Sequence, residues 1–306
     1  MRIGYFADGP WAHRAIELLV KKNHIAFIVP RFDAQDPVLK KWSEKLNVPF
    51  IAFDNVNKDE FLDEIRPLDA DLFVSMSFNQ ILKDKIIHFP RLGFINCHAG
   101  ALPFYRGRNP LNWVLINGEE RFGITVHYVD QGIDTGDIIT QKTYGIKDSD
   151  DYSTLLNKAI YECANVLVEA IESIETNTAK RIKQSSIHPV GFYCGRRKVG
   201  DEIISFKWCA KRFSNFVRGI TYPGPGARCR KDGDGELAII KCELIKDAPN
   251  YIATEGEIVG RCCEGVVAKV CDSTVLITQV ADVENGKLMN FRRPAFKIGT
   301  RLRGGF

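Results

Sequence analysis

Asn96, His98 and Asp134 are residue types that complement one another in acyl-group chemistry, and their surroundings place each where it can act. The run Gly93-Phe94-Ile95 reads as the end of a buried strand, and Asn96 and His98 leave an extended chain on the same face. Ala99-Gly100-Ala101-Leu102-Pro103 cannot continue that strand, because Gly and Pro interrupt the ladder. An amide and an imidazole thus stand at a strand's C-terminal mouth, where open α/β sheets bind ligands. Asp134 lies in Gly132-Ile133-Asp134-Thr135-Gly136, after the strand-like run Gly123–Val129. An amide can donate to a developing oxyanion, and an imidazole can donate or accept a proton. A carboxylate can hold that imidazole charged or relay a proton from an attacking amine. The trio suits acyl transfer without a covalent enzyme intermediate: no Gly-x-Ser-x-Gly elbow is present, and Cys97 alternates to the face opposite His98. Singly, each residue is as ordinary as any turn Asn or Asp; it is their joint order that carries information.

The elements that must position them alternate. Strands are predicted over Arg2–Phe6, His24–Val29, Val48–Phe53, Ala70–Met76 and Gly93–His98, with helices over Trp11–Lys22, Pro37–Leu46, Lys58–Ile65 and Gln80–Phe89. That pattern belongs to a parallel sheet with crossover helices. The first strand-to-helix turn, Phe6-Ala7-Asp8-Gly9-Pro10, lacks G-x-G-x-x-G and argues against a nicotinamide cofactor. A short helix is expected over Leu111–Asn117, with Trp113 in the core. A long amphipathic helix follows over Asp151–Ile174, with Ser153 as its N-cap. After a polar stretch, Glu175–Ser186, His188-Pro189-Val190-Gly191 reads as a linker. Short β-rich runs then occupy Ile203–Trp208, Ala238–Leu244, Gly256–Val259, Val266–Val270 and Thr274–Val280, with a helix over Ala210–Ile220. The expected division is a catalytic domain over 1–186, a linker over 187–200 and a smaller domain over 201–306.

Composition narrows the class. A chain of 306 residues suits two domains, and 45% hydrophobic with 26% charged residues is ordinary for a folded protein. A net charge of +4 permits an anionic substrate without arguing for phosphate-backbone binding. Asp8, His13 and Arg14 interrupt any signal-peptide pattern and no apolar run approaches a membrane span, so a cytoplasmic, membrane-free protein is expected. The nine cysteines form no C-x-x-C pair, which predicts free thiols and no metal.

Read together, Asn96-x-His98, Leu102-Pro103-x-Tyr105-Arg106-Gly107, Pro110-Leu111-Asn112-Trp113, Gly123-x-Thr125-x-His127 and Gly132-x-Asp134-Thr135-Gly136-Asp137 resemble the folate-dependent formyltransferases. That family includes methionyl-tRNA formyltransferase, glycinamide ribonucleotide transformylase and the sugar N-formyltransferases. The resemblance implies an α/β fold: a Rossmann-like, mostly parallel sheet followed by a smaller β-rich, OB-like C-terminal domain. It assigns catalysis to Asn96, His98 and Asp134 and implies 10-formyltetrahydrofolate as formyl donor, held by Phe78, Gln80, Ile81 and Leu82 together with Asp134. It also implies that Tyr105, Arg106, Arg108 and Asn109 shape the acceptor pocket or receive phosphates. Arg196 and Arg197 would face a diphosphate, and Tyr222 would stack on a base. Dimers are frequent in the family, so a homodimer is expected.

For the acceptor, methionyl-tRNA formyltransferases carry a Lys/Arg-rich insertion after the second strand, whereas Pro30–Pro37 is short and charge-balanced here. The missing Gly-rich phosphate loop disfavours a glycinamide ribonucleotide acceptor. The run 106–119, RGRNPLNWVLINGE, and Asp54-Asn55-Val56-Asn57 resemble the domain that formylates a nucleotide-linked amino sugar in lipid A modification. The expected acceptor is therefore the amine of a nucleotide-linked, dTDP-type amino-deoxysugar used for surface polysaccharide such as an O-antigen, with no nucleic-acid partner. The alternatives are methionyl-tRNA, a free amino acid or peptide amine, and a non-catalytic nucleic-acid-binding protein built on the second domain.

Overall fold

The computed structural model describes residues 1–232 and 235–305. The chain begins β1 (Arg2–Ala7), α1 (Gly9–Leu19), β2 (His24–Val29), α2 (Pro37–Leu46), α3 (Asp59–Ile65), β3 (Leu72–Met76), α4 (Asp84–Ile87), β4 (Phe94–His98) and β5 (Arg106–Gly107). It continues α5 (Pro110–Ile116), β6 (Arg121–Tyr128), β7 (Ile138–Gly145), α6 (Tyr152–Glu175), α7 (Gln184–Ile187) and β8 (Tyr193–Cys194). It ends α8 (Ala210–Ile220), β9 (Ala227–Lys231), β10 (Glu236–Leu244), β11 (Ile258–Arg261), β12 (Val266–Lys269), β13 (Thr274–Glu284), β14 (Lys287–Arg292) and β15 (Leu302–Arg303). Two compact units result. The first comprises Met1–Arg108, Phe122–Tyr144 and Asn157–Cys194; the second comprises Asn109–Arg121, Gly145–Leu156 and Gly195–Phe306.

The first unit is built on a Rossmann-like sheet of order β2-β1-β3-β4-β6-β7. β2, β1, β3 and β4 run parallel, whereas β6 pairs antiparallel to β4. The apolar runs on these strands meet in an aromatic core in which Phe6, Phe27, Phe61, Phe73 and Phe94 are buried. Each contributes about 1.5–3 kcal/mol by leaving water. Because β1, β3 and β4 are parallel, Ala7, Met76 and His98 end on one edge of the sheet. At the end of β1 the Gly9 N–H donates to Asp36 Oδ2 (3.0 Å), so a carboxylate of the chain itself takes the donor that a dinucleotide site would aim at phosphate.

In the second unit the strands form one antiparallel sheet of order β11-β12-β13-β10-β9-β15, with β14 added to the far end of β13. α8 lays Phe213, Phe216, Val217 and Ile220 onto it.

Four local expectations are corrected. Val48–Phe53 makes only a bridge between Ile28 and Phe50, because Pro49 has no N–H to extend a ladder. The helix expected over Gln80–Phe89 shrinks to α4. Asn57 Oδ1 takes the Lys83 N–H (2.7 Å) and Asn57 Nδ2 donates to the Ile81 carbonyl (2.9 Å), which uses up helix-forming groups. Asp151, not Ser153, caps α6: its Oδ1 accepts the Thr154 N–H while Thr154 Oγ1 accepts the Asp151 N–H, both at 3.0 Å. Ile203–Trp208 makes one bridge, Ile203 to Arg228, before turning away at Ser205. Strands β9, β14 and β15 went unforeseen; β14 is largely exposed and has no apolar alternation.

Candidate active site

Register decides what stands at the mouth of β4. Asn96 pairs across the ladder with His127 of β6, and His98 with Thr125, so Asn96, His98 and His127 share one face of the sheet. Cys97 turns to the other side, where its thiol meets the Cys163 carbonyl. The turn after β6 carries Asp134 into the centre of this face. Asp134 Oδ1 lies 3.4 Å from Asn96 Nδ2 and 3.4 Å from His127 Nε2; Oδ2 lies 3.6 Å from His98 Nδ1 and accepts the Gly107 N–H at 2.8 Å. The structure thus brings Asn96, His98 and Asp134 together and adds His127. No single spacing nominated His127. The usable signal was the alternation Gly123, Thr125, His127 on a strand facing Asn96.

Asp134 is 12% exposed and adopts a left-handed backbone, φ +55°. Burial works to raise its carboxyl. The facing charge of His98, the hydrogen bond and charge of His127, and the Gly107 N–H outweigh burial and hold it well below the usual carboxylate range. A buried, ionised carboxylate between two imidazoles results.

His98 is seated by its other nitrogen. Nε2 lies 2.7 Å from the Tyr105 carbonyl, which can only accept, so Nε2 carries a proton and Nδ1 is turned toward Asp134. Gly100 closes this seat: a Cβ there would lie 2.6 Å from His98 Nε2 and 2.8 Å from the Tyr105 oxygen. On the other side His127 Nδ1 lies 2.8 Å from the Tyr128 carbonyl, leaving Nε2 3.2 Å from Asn96 Nδ2. Chemically, the face offers an amide N–H and an imidazole beside a fixed negative charge, as acyl transfer to an amine requires.

Residues 10–171 match the family described as formyl transferase, and residues 197–297 match the formyl transferase C-terminal domain. This chain belongs to the formyltransferase family. It is 32% identical over 269 residues to a methionyl-tRNA formyltransferase of Geobacter metallireducens, covering 88% of this chain and 83% of that protein. It is 36% identical over 251 residues to one of Halothermothrix orenii, covering 79% of this chain and 77% of that protein. Among solved structures, its fold is similar to WlaRD, a sugar 3N-formyltransferase solved with dTDP and 5-N-formyl-THF. The TM-score is 0.67 at 21% identity, over 92% of this chain and 97% of that one. It is likewise similar to an N-formyltransferase from Helicobacter canadensis in complex with folinic acid and dTDP-3-aminofucose, with TM-score 0.67, 20% identity, and coverage of 91% and 98%.

The remaining expected residues of this formyltransferase divide. In the connection after β3, Phe78 packs on Phe6 with ring centroids 5.5 Å apart, and Leu82 joins the same core. Gln80 is a strut, donating from Nε2 to the Phe53 carbonyl and accepting the Val56 N–H at Oε1, both at 2.9 Å. Only Ile81 presents a bare apolar side chain, 71% exposed. Ile133, beside Asp134, is 56% exposed, and the two loops are joined by Gln131 Nε2 donating to Asp84 Oδ1 at 3.1 Å. Two exposed isoleucines on loops joined in this way offer apolar surface of the kind that covers a flat ring such as a pterin. Two residues expected at the acceptor site have their side chains held inside the first unit. Tyr105 is buried against Phe192 and serves through its carbonyl. Arg106 is 8% exposed, with Nε and Nη2 donating to Gln184 and Nη1 to the Val190 carbonyl, so it is a structural group. Arg108 is exposed, and Asn109 Oδ1 accepts the Arg197 N–H.

In the second unit a cleft of about 530 Å³ is lined by Arg197, Tyr222, Tyr152, Lys287 and the Pro223–Pro225 turn. The Arg197 Nε is buried with no hydrogen-bond partner among the described residues, and burial pulls the guanidinium below its usual value. Tyr222 exposes its ring and meets Phe291 edge-on. Arg196 is exposed. Among the described residues no cluster of three His, Cys, Asp or Glu suits a metal, no helix is long and apolar enough to cross a membrane, and all nine cysteines are free.

Proposed function

We propose that this formyltransferase moves a formyl group from 10-formyltetrahydrofolate to the amine of a nucleotide-linked amino-deoxysugar. Bound at the Ile81 and Ile133 loops, the donor supplies an electrophilic formyl carbon. Asn96 Nδ2–H and protonated His98 stabilise the oxygen that becomes negative as the unprotonated amine adds to that carbon. Asp134 faces His98 Nδ1 and takes the proton released from the amine, directly or through water. The formyl carbon's bond to the folate nitrogen then breaks, and the proton that Asp134 took passes to that nitrogen, which restores the carboxylate.

One observation carries the acceptor assignment: the orphaned buried Nε of Arg197 in a cleft that also holds Tyr222 and Lys287. An arginine with an unpaired N–H, lining a cleft beside an exposed ring, suits phosphate plus base. The loop after β2 supports the same reading, because Arg31 is engaged by Asp33 (2.7 Å) and Asp8 (3.7 Å) rather than presented to a nucleic-acid backbone. Titration calorimetry with dTDP tests it. Binding is expected in the native protein and weaker by about 10- to 100-fold in Arg197→Ala, the loss of one charge-assisted contact; failure of the native protein to bind dTDP contradicts the assignment. Asp134→Asn tests the chemistry: turnover falls by about 10²- to 10⁴-fold with substrate binding retained, and full activity in that variant refutes the role.

Methionyl-tRNA as acceptor is the second reading, favoured by the curated relatives of that name. It predicts tRNA binding that weakens steeply with salt.

A further inference from the structure

Gln184 lies in the polar stretch after α6, yet it is 3% exposed and all of its hydrogen-bonding capacity is used inside the first unit. Its Nε2 donates to the carbonyls of Asp134 and Gly136, each at 2.8 Å. Its Oε1 accepts from Arg106 Nε at 3.0 Å and Nη2 at 2.8 Å. The orientation of this amide is therefore unique: rotated by half a turn, it would set an oxygen against two carbonyls and an NH₂ against a guanidinium. Arg106 precedes Gly107, whose N–H holds Asp134 Oδ2. One side chain thus grips the Asp134 turn by its backbone, and through Arg106 it grips the segment that holds the Asp134 carboxylate. The grip acts on a turn in which Asp134, not a glycine, holds a left-handed backbone at φ +55°. The adjoining Ile182 exchanges both backbone hydrogen bonds with Ile138, which fixes the approach of Gln184 to the turn.

We propose that Gln184 is the positioning residue of Asp134, clamping the Asp134–Gly136 turn to Arg106-Gly107 so that the carboxylate faces His98 and Asn96. The inference rests on Asp134 acting in the proposed reaction. Gln184→Glu separates the two ends of the clamp: its carboxylate still accepts from Arg106 but repels the carbonyls of Asp134 and Gly136. In Gln184→Glu, kcat falls by about 10- to 100-fold while KM for donor and acceptor stays within about threefold, as displacement of a catalytic group by a fraction of an ångström does. Gln184→Asn, an amide one methylene short, shows the same split. An unchanged kcat in Gln184→Glu overturns the clamp when Asp134→Asn is inactive; an active Asp134→Asn overturns the underlying reading instead. A measurement on the native protein covers the case of variants that do not fold. Both Gln184 Nε2 protons should resolve by NMR as slowly exchanging side-chain amides, and exchange at the rate of an exposed glutamine overturns the proposal.

Discussion

Gly100→Ala tests whether the seat of His98 matters, with the smallest possible perturbation. The added methyl would lie 2.6 Å from His98 Nε2, 2.8 Å from Cδ2 and 2.8 Å from the Tyr105 oxygen, in the middle of the hydrogen bond that orients the ring. Ordinary contact at 3.4 Å requires the imidazole to retreat by about 0.8 Å and the Tyr105 carbonyl by about 0.6 Å. Either movement lengthens a 2.7 Å bond past the useful range and turns Nδ1 away from Asp134. Misplacement on this scale costs on the order of 10²-fold in rate, about 2.7 kcal/mol of barrier. Overpacking costs about 1–3 kcal/mol of stability, which leaves a folded protein to assay. Gly145→Ala is the control, because nothing lies within 4 Å of its added methyl. Steady-state formyl transfer should show kcat down about 100-fold in Gly100→Ala and unchanged in Gly145→Ala. Wild-type turnover in Gly100→Ala refutes the argument that the Tyr105 carbonyl orients His98.

Two further predictions concern stability. The carboxyl of Asp134 is depressed in the folded state, so its stabilising contribution is full above its unfolded value near pH 4 and is lost as pH falls through the folded value. The melting-temperature gap between wild type and Asp134→Asn should therefore narrow between pH 5 and pH 2.5, and a gap independent of pH there contradicts the assignment. Lys269 is fully buried in the second unit, its Nζ donating to the carbonyls of Val270 (2.6 Å), Cys271 (3.2 Å) and Ser273 (3.2 Å). Lys269→Met keeps the stem but removes the charged donor from that turn, at a cost of about 3 kcal/mol by urea denaturation; a loss under about 0.5 kcal/mol would show that the turn does not depend on it.

How far the sequence could be read follows from how local each cause is. Asn96 and His98 were legible because strand alternation and the Gly/Pro stop after them are properties of neighbouring residues. Asp134 was legible by resemblance, from its place between glycines. His127 depends on the pairing of β4 with β6, which no local pattern encodes. Gln184 lies in a stretch without periodicity, and its burial comes from a guanidinium 78 positions away. For the same reason the burial of Arg106 is not visible in the sequence: a charged residue in a loop is usually solvated unless a distant partner draws it in. The helix expected over Gln80–Phe89 failed to a remote competitor too, the side chain of Asn57.

The most direct test of the account is formyl transfer from 10-formyltetrahydrofolate, with dTDP- and UDP-amino sugars and methionyl-tRNA offered as acceptors in parallel. The account predicts turnover on an amino sugar and none on tRNA; turnover on methionyl-tRNA alone would contradict it.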